Sequence, residues 1–288
     1  TVGAMVRVFD SWRAPLFIAA VPGIVLALFI FMIKEPKRGA AESVQVSSAA
    51  VQQPVRKILA IRTFFWLTLA GLAFNFATYA CNTFMVPLLQ RYFLLPLEQA
   101  AIATGVIVGA TGLLGLTLGG WIADRVHQKW ATGRLLFAAM SMAIAAFATA
   151  YALLAGRIEI SLFVAVFSIG WLFSYNYYTC VYTAIQDVIE PRLRATAMAL
   201  FFAGLYLLGG GLGPIAVGLV SDHYAQAAML TAGAGAMNET FKAVGLHAAM
   251  VMIPIAFVLT MLALLQASRC FVRDAERMKS QMLDDVPV

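Results

Sequence analysis

Seven long apolar segments fill most of this chain, at residues 14–33, 63–88, 100–122, 135–155, 160–183, 195–220 and 246–268. Each runs for about 20 residues or more with almost no charge, and a helix rising about 1.5 Å per residue then crosses a hydrocarbon core of about 30 Å. Hydrophobic residues make up 62% of the sequence and charged residues 12%, against roughly 25% charged in an average soluble domain. That much apolar surface is covered by lipid more readily than by a soluble core. A membrane barrel is excluded because its strands would be short and alternating, whereas these runs are continuous. The expected fold class is therefore all-α integral membrane.

Lysine and arginine assign the sides. The stretches after the first, third, fifth and seventh segments hold 15 of the 20 basic residues, among them Lys34, Arg62, Arg125, Lys129, Arg134, Arg192, Arg194 and Arg277. Arg7, Arg13, Arg91, Arg157 and Lys242 are left for the opposite side. By the positive-inside rule the linker after the first segment and the C-terminus are cytoplasmic, in a multi-pass protein of the cell (inner) membrane. The net charge of +6 then reports topology beside anionic lipid, so a lipid bilayer is expected as partner and nucleic acid is not. Seven crossings put the chain ends on opposite faces. No signal-peptide pattern is visible at the start, and the expectation is that an upstream portion precedes residue 1.

Residues 40–54 are rich in Ala, Ser, Val and Gln and read as a linker separating one helix from a block of six. Four parts are expected: 1–33 as the end of a first bundle, 34–62 as a cytoplasmic inter-bundle linker, 63–268 as a six-helix second bundle, and 269–288 as a cytoplasmic tail. Cys81 and Cys180 fall within helices and Cys270 near a helix end, which makes no disulfide framework. His127, His223 and His247 are scattered at loops or helix ends, and no paired carboxylates share a buried face. Neither a metal site, a cofactor site nor a catalytic cluster is expected, and no glycine-rich phosphate loop is present.

The loop after the third segment runs from Gly120 through Asp124, Arg125, His127 and Gln128 to Lys129. It is similar to the cytoplasmic pattern of the major facilitator superfamily, in which glycine, three residues and Asp-Arg are followed by glycine and basic residues. His127 stands where the family commonly has glycine, and Gln128 replaces a basic residue. Trp12, Arg13, Pro15, Pro22 and Gly23 with Lys34, Glu35 and Pro36 look like the family's approach to helix 6 and its exit into the central loop. Pro191, Arg192, Arg194, Gly211, Gly213, Pro214, Ser221 and Asp222 resemble its helices 10 to 12. Together these stretches resemble the Spinster-like branch, which includes transporters of lysophospholipids and sphingoid lipids. The resemblance implies a partial major facilitator fold running from helix 6 to helix 12, with the first bundle missing, working as a monomer. It also implies that Gly120, Asp124, Arg125 and Lys129 form a gate-like latch; a basic loop obeying topology alone is the competing reading.

Gly105, Gly109, Gly112, Gly115 and Gly119 keep near one helical face, which lets a neighbour approach closely. Gly211, Gly213 and Pro214, with Gly204, Gly209 and Gly210 before them, are enough to bend or unwind the sixth segment. Rocking bundles and static ones both use such contacts, so hinge and packing roles both stand. Polar residues mark a candidate substrate cavity. Asn75, Thr78, Tyr79 and Asn82 share a face of the second segment, and Trp171, Tyr175, Tyr178 and Tyr182 follow helical spacing on the fifth. An unpartnered amide or phenol in lipid costs several kcal/mol, so these faces should point inward or toward water. Aromatic walls with scattered hydroxyls accommodate an apolar body and orient a polar head; interhelical packing with an interfacial aromatic belt is the alternative.

No Asp, Glu, Lys, Arg or His lies near the centre of the seven segments. Proton coupling needs an ionisable group whose occupancy changes with exposure, and the resemblance implies that such a group belongs to the first bundle. The expected function is secondary active transport of a small organic, amphipathic or lysolipid-like solute by alternating access, with protons as the coupling ion. The alternatives are a gradient-independent facilitator, a sugar or organic-anion transporter of the same superfamily and, more distantly, a non-transporting seven-helix receptor.

Overall fold

A computed structural model describes residues 8–11, 13–34, 53–155 and 159–284. Trp12, Glu35 and Pro36, and the linker between 35 and 52, lie outside the described residues. The chain divides into two compact units, Thr1–Gln45 and Val46–Val288. In the first, helix α1 spans Ala14–Ile30 and begins with Pro15 in its opening turn, where the missing N–H costs nothing. It is shorter than the apolar run 14–33. After Ile30 the backbone tightens into turns, Met32 N–H donating to the Phe29 carbonyl and Ile33 N–H to that of Ile30, both at 3.0 Å. Its 17 residues stand at the lower end of the length that crosses a bilayer, about 17–25 residues.

The second unit opens with the short helix α2, Pro54–Leu59. Six helices then follow, each long and apolar enough to cross a membrane: α3 Arg62–Arg91, α4 Leu97–Lys129, α5 Gly133–Leu154, α6 Ile160–Val188, α7 Pro191–Thr231 and α8 Glu239–Gln281. They extend past the apolar runs at most ends, because intrahelical hydrogen bonding continues where polar residues reach the headgroup region. α8 is the clearest case: its second part continues as helix to Asp284. The C-terminal part of α8 also ties down the start of α3. Both the backbone N–H and the hydroxyl of Thr63 donate to Asp274 Oδ2, at 2.9 and 2.8 Å, which satisfies a helix-start donor and sets a carboxylate against the positive helix end.

α8 packs along α3 and α5, the second half of α7, Gly211–Thr231, packs on the first part of α8, and α4 lies against α5 and α6. The core is aromatic where these helices meet. The Tyr177 ring stacks on Phe74 at 4.1 Å, and Trp171 sits between Phe167 and Phe257, each 5.9 Å away.

Four helices depart from regular α geometry, among them α8, interrupted at Val251. α4 contains a wide π-turn at Gly105–Ala110, and α7 contains one at Gly204–Gly210. α6 is interrupted at Tyr175, between Ile160–Ser174 and Asn176–Val188. Glycine supplies the backbone freedom in both π-turns. In α7, Pro214 adds a second cause: it has no N–H for the Gly210 carbonyl, so regular hydrogen bonding cannot pass through this point.

Candidate functional site

Tyr178 is the hub of a polar aromatic surface built by α3, α6 and α7. Its ring meets Phe74 edge-on at 5.1 Å and Tyr182 at 5.6 Å, and lies 6.3 Å from Tyr175. Tyr182 meets Phe202 of α7 at 5.5 Å, Phe202 lies 5.8 Å from Tyr206, and Tyr206 meets Tyr79 of α3 at 6.1 Å. The rings thus run continuously from one helix to the next. Tyr79 and Tyr206 are 40% and 47% exposed, and Asn82 is exposed beside them. Phenols and an amide standing open on a membrane-depth surface favour contact with water or a polar partner over lipid.

The other expected cavity residues take different places. Asn75 is buried; its amide donates to the Gly71 carbonyl at 3.4 Å, and its Cβ is 3.1 Å from where a side chain on Gly209 would begin. The hydroxyl of Thr78 donates to the Phe74 carbonyl at 3.0 Å, so it offers its lone pairs only. Trp171 is 1% exposed and belongs to the core stack, apart from the open rings. The interruption at Tyr175 shifts the helical phase, so residues that a regular helix would align are divided between core and surface. Tyr206 and Phe202 were not anticipated from the sequence, although their spacing of four on one helix face was available as a signal.

Tyr175 links the break in α6 to the π-turn in α4. Its hydroxyl donates to the Val108 carbonyl at 2.7 Å, and its ring closes on Gly112, with Cζ 3.1 Å from a would-be Cβ. The glycine row of α4 divides accordingly. Gly112, Gly115 and Gly119 accept α6 at contact distance, with the side chain of Asn176 lodged against Gly119, whereas Gly105 and Gly109 sit in the π-turn facing open space. In α7, Gly213 presses on the backbone of Phe76 while Gly211 has no close neighbour. Pro214 follows the π-turn by one helical turn.

At the basic ends of the helices, Asp124 pairs with Arg134 at the start of α5. The Arg134 guanidinium forks, donating to Asp124 Oδ1 at 3.0 Å and to Asp187 Oδ2 on α6 at 3.1 Å. One side chain, 13% exposed, thereby joins α4, α5 and α6. Arg125 instead lies over the Trp121 ring, 3.4 Å from its centroid. Gly120 has Thr179 of α6 at 3.7 Å from a would-be Cβ, and Lys129 is exposed. Arg134 and Asp187 were not part of the expected latch; Arg134, ten residues from Asp124, was within local reach, whereas Asp187, 53 residues from Arg134, left no local signal. Among the described residues, no group of three or more His, Cys, Asp or Glu could hold a metal ion.

Comparison with known proteins agrees with this architecture. The family profile of the Major Facilitator Superfamily matches residues 2–214. An MFS-type efflux pump of Mycolicibacterium smegmatis is 29% identical over 224 residues, covering 74% of this chain and 48% of the relative. The sphingosine-1-phosphate transporter SPNS2 of Xenopus tropicalis is 23% identical over 290 residues, covering 96% of this chain and 55% of the relative. Protein spinster homolog 3 of Danio rerio is 26% identical over 231 residues, covering 75% of this chain and 46% of the relative. The chain thus spans about half the length of these curated relatives. A crystal structure of a bacterial homolog to the human lysosomal transporter Spinster, inward-facing and unoccupied, superposes with a TM-score of 0.69 at 25% identity, covering 91% of this chain and 60% of that one. With six membrane helices in this order, a fold shared with a Spinster homolog and a profile match over most of its length, the chain belongs to the Major Facilitator Superfamily and falls in its Spinster-like branch.

Proposed function

We propose that this chain supplies one wall of an alternating-access secondary transporter for a small organic, amphipathic solute. In this reading 63–268 is the second bundle, 1–33 ends the first, and 34–62 joins them on the cytoplasmic side, with 269–288 as a cytoplasmic tail. The observation that carries the reading is the open ring surface of Tyr79, Tyr178, Tyr182, Phe202 and Tyr206 across three helices. Aromatic faces take up an apolar body, and phenol and amide groups orient a polar head. The wall holds no charged side chain, so proton coupling would draw on a titratable group outside these spans. Lysolipid-like solutes are the substrate class that suits it, in keeping with the sphingosine-1-phosphate transporters among the relatives.

The test is uptake of a labelled lysophospholipid into proteoliposomes, with and without a proton gradient. Gradient-dependent uptake that falls in Tyr206→Ala and Tyr178→Ala supports the reading. Uptake indifferent to the gradient removes proton coupling, and no lipid movement removes the substrate class. The similarity to an MFS-type efflux pump supports a second reading, export of a broader range of apolar solutes. Faster clearance of an apolar dye from loaded vesicles than of lysolipid would favour it.

A further inference from the structure

One buried phenol of the second unit has nothing to bond to. Tyr177 on α6 is 0% exposed, and its hydroxyl has no hydrogen-bond partner among the described residues. Its ring is fixed by stacking on Phe74 at 4.1 Å and by an edge contact with Tyr178 at 5.8 Å. A phenol in an apolar interior ordinarily finds a partner, because an unpaired polar group there forfeits its hydration. Phenylalanine would fill the same stack without that loss, so packing alone gives no reason for the oxygen.

The oxygen is aimed at Gly71 of α3, 2.8 Å from where a side chain there would begin, and the Leu205 side chain closes on the same point from α7. Leu205 is itself 0% exposed. Three helices thus meet at one glycine, with the leucine as a cover over the hydroxyl. On each helix this spot adjoins the ring surface. Gly71 shares a face of α3 with Asn75, Thr78 and Asn82, at offsets of four, seven and eleven. Tyr177 directly precedes Tyr178, and Leu205 directly precedes Tyr206.

The cover is mounted on the irregular part of α7. Leu205 belongs to the π-turn Gly204–Gly210, whose wider hydrogen-bonded rings accommodate about one residue more than regular helix. Moving that extra residue along the chain turns the residues it passes by about 100°. Gly204 already faces α3, with Thr68 at 3.5 Å from its would-be Cβ. We infer that Tyr177 is a latent head-group contact of the transport site. Its hydroxyl donates to a phosphate oxygen of an amphipathic solute once a one-residue step of the π-turn puts Gly204 in place of Leu205. The step leaves a leucine-sized opening in front of the hydroxyl, beside the rings of Tyr178 and Tyr206. The inference rests on the proposed role of the ring surface as a solute wall, and adds to it a polar contact that the closed packing conceals.

The test measures binding of tritiated lysophosphatidylcholine to the purified protein by scintillation proximity, together with the apparent Tm of each variant. Tyr177→Phe should weaken binding about tenfold, the equivalent of one hydrogen bond to a charged group. Its Tm should equal or exceed that of the unaltered protein, since the hydroxyl has no bond to lose. Leu205→Ala, which removes the cover, should tighten binding, and should do so far less in the Tyr177→Phe background. Leu205→Val, a smaller truncation, gives the same signs if Leu205→Ala does not fold. A lower Tm in Tyr177→Phe shows that the hydroxyl is bonded within the fold and overturns the proposal. Equal tightening by Leu205→Ala in both backgrounds also overturns it. Unchanged affinity in Tyr177→Phe beside weakened binding in Tyr206→Ala overturns it while sparing the ring surface as solute wall. Unchanged affinity in both variants, or no binding by the unaltered protein, removes the wall and this contact together.

Discussion

The Arg134 fork makes a quantitative prediction about opening at the basic ends of the helices. Two charge-assisted hydrogen bonds, of 3.0 and 3.1 Å, join Arg134 to Asp124 and Asp187. Such bonds contribute about 1.5–3 kcal/mol each when desolvated, but exposed ion pairs contribute only about 0.2–1 kcal/mol. Arg134 is 13% exposed, Asp124 66% and Asp187 40%, so both bonds are weighted toward the lower figure. Their sum is about 1–2 kcal/mol, a factor of about 5–30 in the equilibrium between latched and open ends. Arg134→Gln removes the charge from both. Cys180 reports the opening: it is fully buried on α6, near the fork. In a background with Cys81 and Cys270 replaced by alanine, labelling of Cys180 by a water-soluble maleimide should accelerate by that factor in Arg134→Gln. The double variant Arg134→Gln with Asp187→Asn should open less than the two single effects combined, because the pair interacts directly. An unchanged labelling rate, or strict additivity, would refute the latch.

Other substitutions test the remaining contacts. Gly119→Ala would drive a methyl into the Asn176 side chain, whose amide donates to Ser141 at 2.9 Å; overpacking costs about 1–3 kcal/mol and the lost hydrogen bond about 1 more, read as a lower apparent Tm. Asp274→Ala removes both bonds to Thr63 and should cost about 1–2 kcal/mol, in the range of a lost helix cap, by the same measurement. Asn82→Ala and Tyr206→Ala, at exposed positions, should weaken substrate binding while leaving Tm in place; a large drop in Tm with unchanged binding would return them to packing. Tyr175→Phe deletes the hydroxyl bond to Val108 while keeping the ring against Gly112, and should slow transport more than it weakens binding.

Much of the fold was legible because insertion into lipid is read along one dimension. Uninterrupted apolar length and the distribution of Lys and Arg depend on composition, so each of the six long helices of the second unit lies over an expected segment, though most run longer. The ring stripe of Tyr175, Tyr178 and Tyr182 was legible because helical spacing holds over short distances. Trp171 shows where that stops: one interruption at Tyr175 changes the phase, and Phe257 from a distant helix completes a core around it.

By itself, then, the sequence determined the membrane class, the order of the helices, the Asp-Arg loop and the tyrosine stripe of α6, since each depends on residues within a few turns of one another. The tertiary structure alone decided that Arg134 bridges Asp124 and Asp187, and that Tyr206 and Phe202 join the rings of α3 and α6. Those contacts bring together side chains from helices far apart in the chain, and pairing of that kind is selected by packing geometry that no local pattern encodes.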